Sequence, residues 1–304
     1  MSDLPLVSIV TPTYNMAQYL EETIQSVLSQ DYPRIEYLVM DAGSNDGTLE
    51  ILKKYEGRLR YVSEPDEGQA DAVNKGFQRT SGEIFAFLNA DDLYLPGAIG
   101  AAVRQFQETP QVGVVYGEAW YTAQSGEIIR PYPTQPFDRN RFQSQCYICQ
   151  PASFIRRDVF RAVGGLNARL HYALDYDLWV RIAKHYDMAA VPEYFATSRM
   201  YADNKTIRLR RVGLNEIFSL LKRSYGYVPP HWVYAWCSTY IHKEADGFFV
   251  PDPPTPQGFL ACIIAGTWFN RSRPFRYWAD CTRMIGPGLR ILYERLTTAT
   301  RALQ

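Results

Sequence analysis

Two adjacent acids, Asp91 and Asp92, follow the apolar run Glu83-Ile84-Phe85-Ala86-Phe87 by way of Leu88-Asn89-Ala90. This places two carboxylates at the exit of a buried strand, where an open α/β sheet gathers its ligands. Carboxylate oxygens suit hard cations such as Mg2+ or Mn2+, which share their coordination readily with substrate phosphates. Taken alone, the pair reads as a turn that caps a helix opened by Pro96. Two further loops shift that balance. Thr11-Pro12-Thr13-Tyr14 closes a first strand and Asp41 closes a second. If the strands are neighbours, these residues and Asp91 line one cleft, with Asp41 placed to accept hydrogen bonds from a base edge and Tyr14 to stack on it. No G-x-G-x-x-G follows the first strand, and no G-x-x-x-x-G-K-[ST] is present. Backbone amides cradle phosphate in both of those motifs. Here acids stand in that place, so a divalent cation must mediate.

The elements that would position these loops follow from hydrophobic period. Val7 to Thr11 reads as a buried strand, followed by an amphipathic helix with Leu20, Ile24, Val27 and Leu28 on one face and Asn15 as its N-cap. Ile35 to Met40 is a second strand, running through a turn-rich loop into a helix carrying Leu49, Ile51 and Leu52. A short strand at 60–62, a helix at 69–80, a strand at 83–88 and a helix at 96–107 repeat the pattern. The alternation predicts an α/β fold whose mostly parallel sheet has helices on both faces, with the loops after strands one, two and four on one edge. Beyond residue 110 the rhythm changes. Strands are expected at 112–116 and 152–155, mixed sheet and loop between them, a short helix capped by Asp158, and helices at 175–185 and 209–223.

Composition sets the outer limits. The chain has 304 residues, 46% of them hydrophobic and 21% charged, with zero formal net charge. That describes a large domain with an appendage and offers no overall field for nucleic acid, so no nucleic-acid partner is expected. The start, Met1 to Pro5, lacks a basic region followed by an apolar stretch, and no apolar run reaches the ~20 residues of a bilayer span. A cytoplasmic protein is expected. Five scattered cysteines suit reduced thiols, and the CxxC of Cys146 and Cys149 lacks the second pair that tetrahedral zinc wants.

The motifs as a set resemble a known family. Val-Ser-Ile-Val-Thr-Pro-Thr-Tyr-Asn (7–15), Met-Asp-Ala-Gly-Ser-Asn-Asp-Gly-Thr (40–48), Ser-Glu-Pro-Asp-Glu-Gly-Gln-Ala-Asp-Ala-Val-Asn-Lys-Gly (63–76) and Leu-Asn-Ala-Asp-Asp (88–92) are similar to the successive motifs of family 2 glycosyltransferases, inverting enzymes of the GT-A fold. The likeness covers residues 5–205. It implies that Pro12, Tyr14 and Asp41 hold the base and ribose of a nucleotide sugar. It also sets Asn89-Ala90-Asp91 in the family's D-x-D position, with Asp91 binding the Mn2+ or Mg2+ that bridges the diphosphate. Asn89 replaces the first carboxylate. Asp66 and Asp71 of the third loop orient the donor sugar or cap the helix that follows, and Lys75 is placed to meet phosphate or solvent. Asp175, in Leu174-Asp175-Tyr176-Asp177-Leu178-Trp179, resembles the acid that deprotonates the acceptor, although Leu174 stands where the family has another acid. Its alternative is a helix cap, and Asp177 reads as a first-turn acid favoured by the helix dipole. Arg199 matches a family arginine, Tyr201 replaces a histidine two residues on, and Lys205 is a candidate partner of the diphosphate. Gln150-Pro151-Ala152 matches a position facing the acceptor.

The implied organisation is a GT-A catalytic domain at 1–224, its nucleotide-sugar half at 1–110 and acceptor half at 111–224, and an α-helical extension at 225–304. Pro251 to Pro256 reads as a stiff linker. Residues 257–304 hold seven arginines against Asp280 and Glu294, and four of the six tryptophans lie at 232, 236, 268 and 278. Trp, Tyr and Arg together suit an anionic membrane surface, while helices packed on the core or pairing two copies of the chain are the alternative. The expected activity is metal-dependent, inverting transfer of a sugar from a nucleotide diphosphate, with UDP favoured. The acceptor is a hydroxyl of a saccharide or a polyprenyl-linked molecule, in cell-surface polysaccharide synthesis, in the cytoplasm or at the inner face of the membrane. The alternatives are a sugar nucleotidyltransferase, which needs a glycine- and arginine-rich first loop that Thr11 to Asn15 does not supply, and a non-catalytic saccharide-binding protein on the same fold.

Overall fold

The computed structural model describes residues 4–241 and 255–284. Most of the linker expected at Pro251 to Pro256 and the end of the arginine-rich tail lie outside these residues. The chain divides into two compact units, Met1–Arg139 with Cys146–Asn204, and Asn140–Gln145 with Lys205–Gln304.

The first unit is built on a nine-stranded sheet. Its strands are β1 (Val7–Thr13), β2 (Ile35–Asp41), β3 (Arg60–Ser63), β4 (Ile84–Phe87), β5 (Leu93–Tyr94), β6 (Val114–Thr122), β7 (Ile128–Pro131), β8 (Ser153–Arg156) and β9 (Met188–Arg199). Their order is β3-β2-β1-β4-β8-β6-β9-β5, with β7 paired to β6. β1 runs parallel to both β2 and β4, and β2 to β3. The loops after these strands therefore leave from one edge, as the alternation predicts. From β8 onward the pairing is mixed.

Helices cover both faces of the parallel half. α1 (Ala17–Leu28), α2 (Thr48–Lys54) and α4 (Ala98–Glu108) lie on one side, where Leu20, Ile24 and Val27 join Val7, Ile9 and Val39 in a buried core. α3 (Gln69–Gln78) and α5 (Arg157–Ala162) lie on the other, where Phe77 stacks on Phe85 with centroids 4.3 Å apart and Phe160 meets Phe77 edge-on. Gly76 permits this approach: a Cβ there would come within 2.6 Å of Val10 Cγ1. Burying each of these apolar side chains contributes about 1.5–3 kcal/mol.

β9 is the element that the sequence pattern does not announce. Pro192 and Glu193 interrupt its apolar run, and the structure absorbs them as an irregularity: Val191 pairs with Gly117 while the next partner of the ladder is Tyr194 with Glu118. The bulge lets one long strand carry a proline that would otherwise break it. Opposite it, Gly117 accommodates Phe195, whose ring lies 2.3 Å from where a Cβ would stand.

Three expected caps are corrected. Met16, not Asn15, precedes α1; Asn15 has a positive φ of 52° and its side chain accepts from Asn45 N at 2.9 Å, stitching the first loop to the second. Asp158 lies in the first turn of α5 behind Arg156. α4 opens behind Gly97 at Ala98, later than Pro96, so neither Asp91 nor Asp92 caps it.

The second unit contains α7 (Lys205–Arg208), α8 (Arg210–Tyr225), α9 (Pro230–Ile241) and α10 (Pro256–Phe269), and residues 274–284 are helical. α8 buries Leu214, Ile217, Phe218 and Leu221, the face its period marks.

Candidate active site

The loops at the carboxyl edge of β1, β2, β3 and β4 are tied to one another by side-chain hydrogen bonds. Asn15 N donates to Ser44 Oγ at 2.8 Å and Ala17 N to Asp46 Oδ2 at 3.0 Å, joining the first loop to the second. Asp41, the last residue of β2, is buried and accepts from Gly43 N at 3.1 Å, from Ser44 N and Oγ, and from Ser63 Oγ at the end of β3. A carboxylate has about four lone-pair sites. These bonds make Asp41 shape the loop, a role its sequence position does not disclose. Pro12 is buried within β1, and Tyr14 projects from the strand's end, 58% exposed.

In the third loop Asp66 accepts from Gly68 N at 2.8 Å, the local turn that opens α3. Asp71 accepts from Glu67 N and pairs with Lys75 at 2.8 Å, and the Lys75 hydrogen bond holds its carboxyl below the usual range. Both acids thus make helix-start contacts, and Lys75 meets Asp71.

The Asn89–Asp92 loop is the most heavily braced part of the edge. Asn89 Oδ1 accepts from Gln69 Nε2 at 2.6 Å, and Asn89 Nδ2 donates to Asp92 Oδ2 at 3.0 Å and to Gln150 Oε1 at 3.2 Å. Gln150 in turn donates to the Phe87 carbonyl at 2.6 Å, at the very end of β4. Asp92 is buried, and Arg199 N donates to its Oδ1 at 3.0 Å. The buried Arg199 guanidinium donates to the Asp91 carbonyl at 3.0 Å, to the Gln124 carbonyl at 2.7 Å and to Glu22 at 2.6 Å, and lies 4.9 Å over the Tyr19 ring. Asp91 is half-buried, and Tyr201 donates its hydroxyl to Asp91 Oδ2 at 2.9 Å. Burial raises the Asp91 carboxyl, and burial together with the neighbouring Asp91 charge raises Asp92 further.

Two acids mark the start of α6 (Leu174–Ala183), neither of them its cap, which is Ala173. Asp177 is buried and forms an ion pair with Arg181 Nε at 2.8 Å, while Arg181 also reaches the Val163 carbonyl. Asp175 is half-buried. Its charge and that of Asp92 both act on the Cys149 thiol, which burial has already pushed up. Cys146 is likewise raised by burial and then by Asp175. These cysteines are neutral thiols against the acidic site.

The sequence-derived candidates therefore separate. Pro12, Tyr14, Asp41, Asp66, Asp71, Asn89 and Asp91 stand on one sheet edge, and Asp175 shares a neighbour with the Asp91-Asp92 loop. Lys205 opens α7 in the second unit. The bracing residues Gln69, Gln150 and Asp92 carry more of the geometry than their sequence context suggests; Arg199 does so too, and its match to a family arginine was the available signal.

A divalent cation fits this set in one way. Among the described residues no group of three or more His, Cys, Asp or Glu gathers to hold one. Mg2+-type sites often use one or two carboxylates plus substrate phosphates. A single half-buried Asp91, with Asn89 and Asp92 engaged elsewhere, suits an ion held largely by a diphosphate.

The chain is similar to known proteins in sequence and in fold. It is 30% identical over 188 residues to an uncharacterized glycosyltransferase of Rickettsia typhi, a match covering 59% of this chain and 59% of that protein, so less than two thirds of the relative is spanned. Solved structures of low identity share its fold. S. aureus TarS in complex with UDP-GlcNAc superposes with a TM-score of 0.58 at 16% identity, covering 86% of this chain and 81% of that one. The mannosyltransferase PcManGT of Pyrobaculum calidifontis, in complex with GDP-Man and Mn2+, gives 0.59 at 20%, covering 96% and 88%. The α/β arrangement with its C-terminal helices is the GT-A fold. The glycosyl transferase family 2 model matches residues 8–164, from β1 past the braced Asp91-Asp92 loop to the end of α5, and the chain belongs to that family.

Proposed function

We propose that the protein transfers a sugar from a nucleotide diphosphate, UDP by preference, to a hydroxyl of a saccharide or polyprenyl-linked acceptor in cell-surface polysaccharide synthesis, with inversion at the anomeric carbon. The observation that carries this reading is the half-buried Asp91, held by Tyr201 on a loop fixed to Arg199, at the carboxyl edge of the parallel strands. The nucleotide sugars and the Mn2+ bound by the two structural neighbours support the donor class.

In this reading Tyr14 stacks on the base beside Pro12, and Asp41 acts by fixing the loop that the base and ribose rest on. Asp66 and Asp71 set the start of α3 toward the donor sugar, and Lys205 is assigned to the diphosphate. Asp91 would hold a Mn2+ or Mg2+ ion whose charge offsets that of the departing diphosphate. Asp175 accepts the proton of the acceptor hydroxyl as its oxygen bonds to the anomeric carbon. The bond from that carbon to the diphosphate oxygen breaks, and its electron pair leaves with the diphosphate. One displacement gives inversion.

Calorimetry of UDP binding tests the donor half of the proposal. UDP should bind in Mn2+ and lose roughly 10- to 100-fold in affinity in EDTA, and Asp91→Ala should abolish most of that difference. Equal affinity in EDTA and Mn2+ for the wild-type chain would show the cation assignment to be wrong.

A further inference from the structure

α10 has no charged residue along its length. Leu260, Ile264 and Trp268 recur every four residues, which lines them up along one side of the helix. They are 60%, 65% and 69% exposed. The other side is packed: Cys262 and Gly266 are buried, and Gly266 faces the Tyr277 ring with no room for a Cβ. The Tyr277 hydroxyl donates to the Cys262 carbonyl at 2.8 Å, and Trp278 Nε1 donates to Thr267 Oγ1 at 2.9 Å. These bonds fix the helix of residues 274–284 against α10. Phe275 and Trp278, 79% and 43% exposed with rings 5.5 Å apart, extend the apolar surface from there. Five of the eleven exposed large apolar side chains among the described residues thus fall in this one hairpin, a concentration that scattered exposure does not produce.

The hairpin that carries this surface is basic. Residues 255–284 contain Arg271, Arg273, Arg276 and Arg283 against a single acid, Asp280. Asp280 is engaged by Arg283 at 3.0 Å, by Arg276 at 3.8 Å and by the Tyr227 hydroxyl. Arg271 lies over Trp268 at 5.6 Å, a cation at the end of the apolar stripe. A second copy seated here by two-fold symmetry would bring two such basic hairpins together. An anionic lipid surface offers both complements, acyl chains for the stripe and phosphates for the arginines. A helix of 14 residues spans about 21 Å, short of the ~30 Å hydrocarbon core. No helix of the described residues is long and apolar enough to cross a membrane.

We infer that the exposed face of α10, with Phe275, Trp278 and Arg271, docks in the plane of an anionic membrane surface. The inference goes beyond glycosyl transfer, and its test reads membrane binding without turnover. The full chain is sedimented with vesicles of phosphatidylcholine alone and of phosphatidylcholine mixed with phosphatidylglycerol. The wild type should partition onto the mixed vesicles only and be released by salt. Ile264→Glu with Trp268→Glu should lower partitioning by roughly 10-fold or more, and Arg271→Glu by a smaller factor. Both changes are on exposed side chains, and circular dichroism checks the fold. Absence of binding to mixed vesicles, or equal binding by wild type and the double variant, overturns the inference. So does a wild-type dimer in sedimentation velocity that the double variant dissolves while neither binds lipid, since a second copy is then the occupant. Should the double variant not fold, Arg271→Glu decides: unchanged partitioning overturns the inference.

Discussion

The loop after β4 and the first turn of α6 each hold two acids within three residues, and their surroundings sort them in the same way. In the loop, Asp92 is buried and takes hydrogen bonds from Arg199 N and Asn89, while Asp91 is half-buried and meets only the Tyr201 hydroxyl among the side-chain contacts resolved for it. In α6, Asp177 is buried in an ion pair with Arg181, while Asp175 is half-buried and acts on the same cysteine as Asp92. One acid of each pair is committed to holding the element in place. The other is half-buried in each case. The comparison teaches that neighbouring acids of one motif are told apart by their burial and by the partners that brace the element.

The largest expected effect breaks the α6 half of that comparison. Asp175→Asn should keep donor affinity and lower turnover by a factor of roughly 10² to 10⁴, since the amide preserves shape but cannot accept the acceptor's proton. Asp177→Asn should behave in the opposite manner. It weakens a buried ion pair, at a cost of about 1–3 kcal/mol of stability, with little change in rate. Transfer at saturating donor, with thermal unfolding of both variants, decides between them. Collapse of turnover in Asp177→Asn alone would reverse the assignment of the two acids.

The next effect concerns the loop's anchor. Arg199→Met should destabilise the chain by about 3 kcal/mol, because it strips the Asp91 and Gln124 carbonyls and Glu22 of their donor and leaves Asp92 buried without the nearby charge. UDP affinity should fall with it, as Asp91 loses the brace on its backbone. Denaturant unfolding measures the first expectation and calorimetry the second. A loss of less than about 0.5 kcal/mol, the range of an ordinary surface change, would mean that the loop is held by Asn89 and Gln150 instead.

Much of this arrangement was legible in the sequence. Apolar runs at Val7, Ile35 and Ile84 marked the parallel strands, their shared direction followed from the β-α alternation, and the acids closing them marked the edge. The bracing was not. Gln150 and Gln69 are ordinary polar residues until the chain folds, and they reach Asn89 from positions 61 and 20 residues away. β9 was hidden because Pro192 and Glu193 break its pattern, and only the irregular register with β6 reveals how they are absorbed. Local period carries element identity, whereas contacts between distant loops are set by topology. The resemblance to the family supplied Asp175, which residue type alone could not separate from a helix cap.

The smallest effect sharpens the comparison by titration. Burial raises Asp91, and burial with the Asp91 charge raises Asp92, so this coupled pair keeps a proton above the usual carboxylate range. With the folded pKa above the unfolded value of about 4, the native chain binds more protons than the unfolded chain across that window. Stability then falls as pH rises through the folded pKa values. Asp71, held low by Lys75, has the opposite sign, but its contribution is lost only on acidification toward and below about pH 4. As pH rises above about 4 the ligand-free wild type should therefore lose stability relative to Asp91→Asn. Cation binding requires an ionised Asp91, so Mn2+-dependent UDP affinity should rise as pH rises. Paired melting curves across that range test the first expectation and calorimetry the second. If wild type and Asp91→Asn melt in parallel, the loop retains no proton at these pH values. Asp92 would then be charged in the native chain, its buried carboxylate balanced by Arg199.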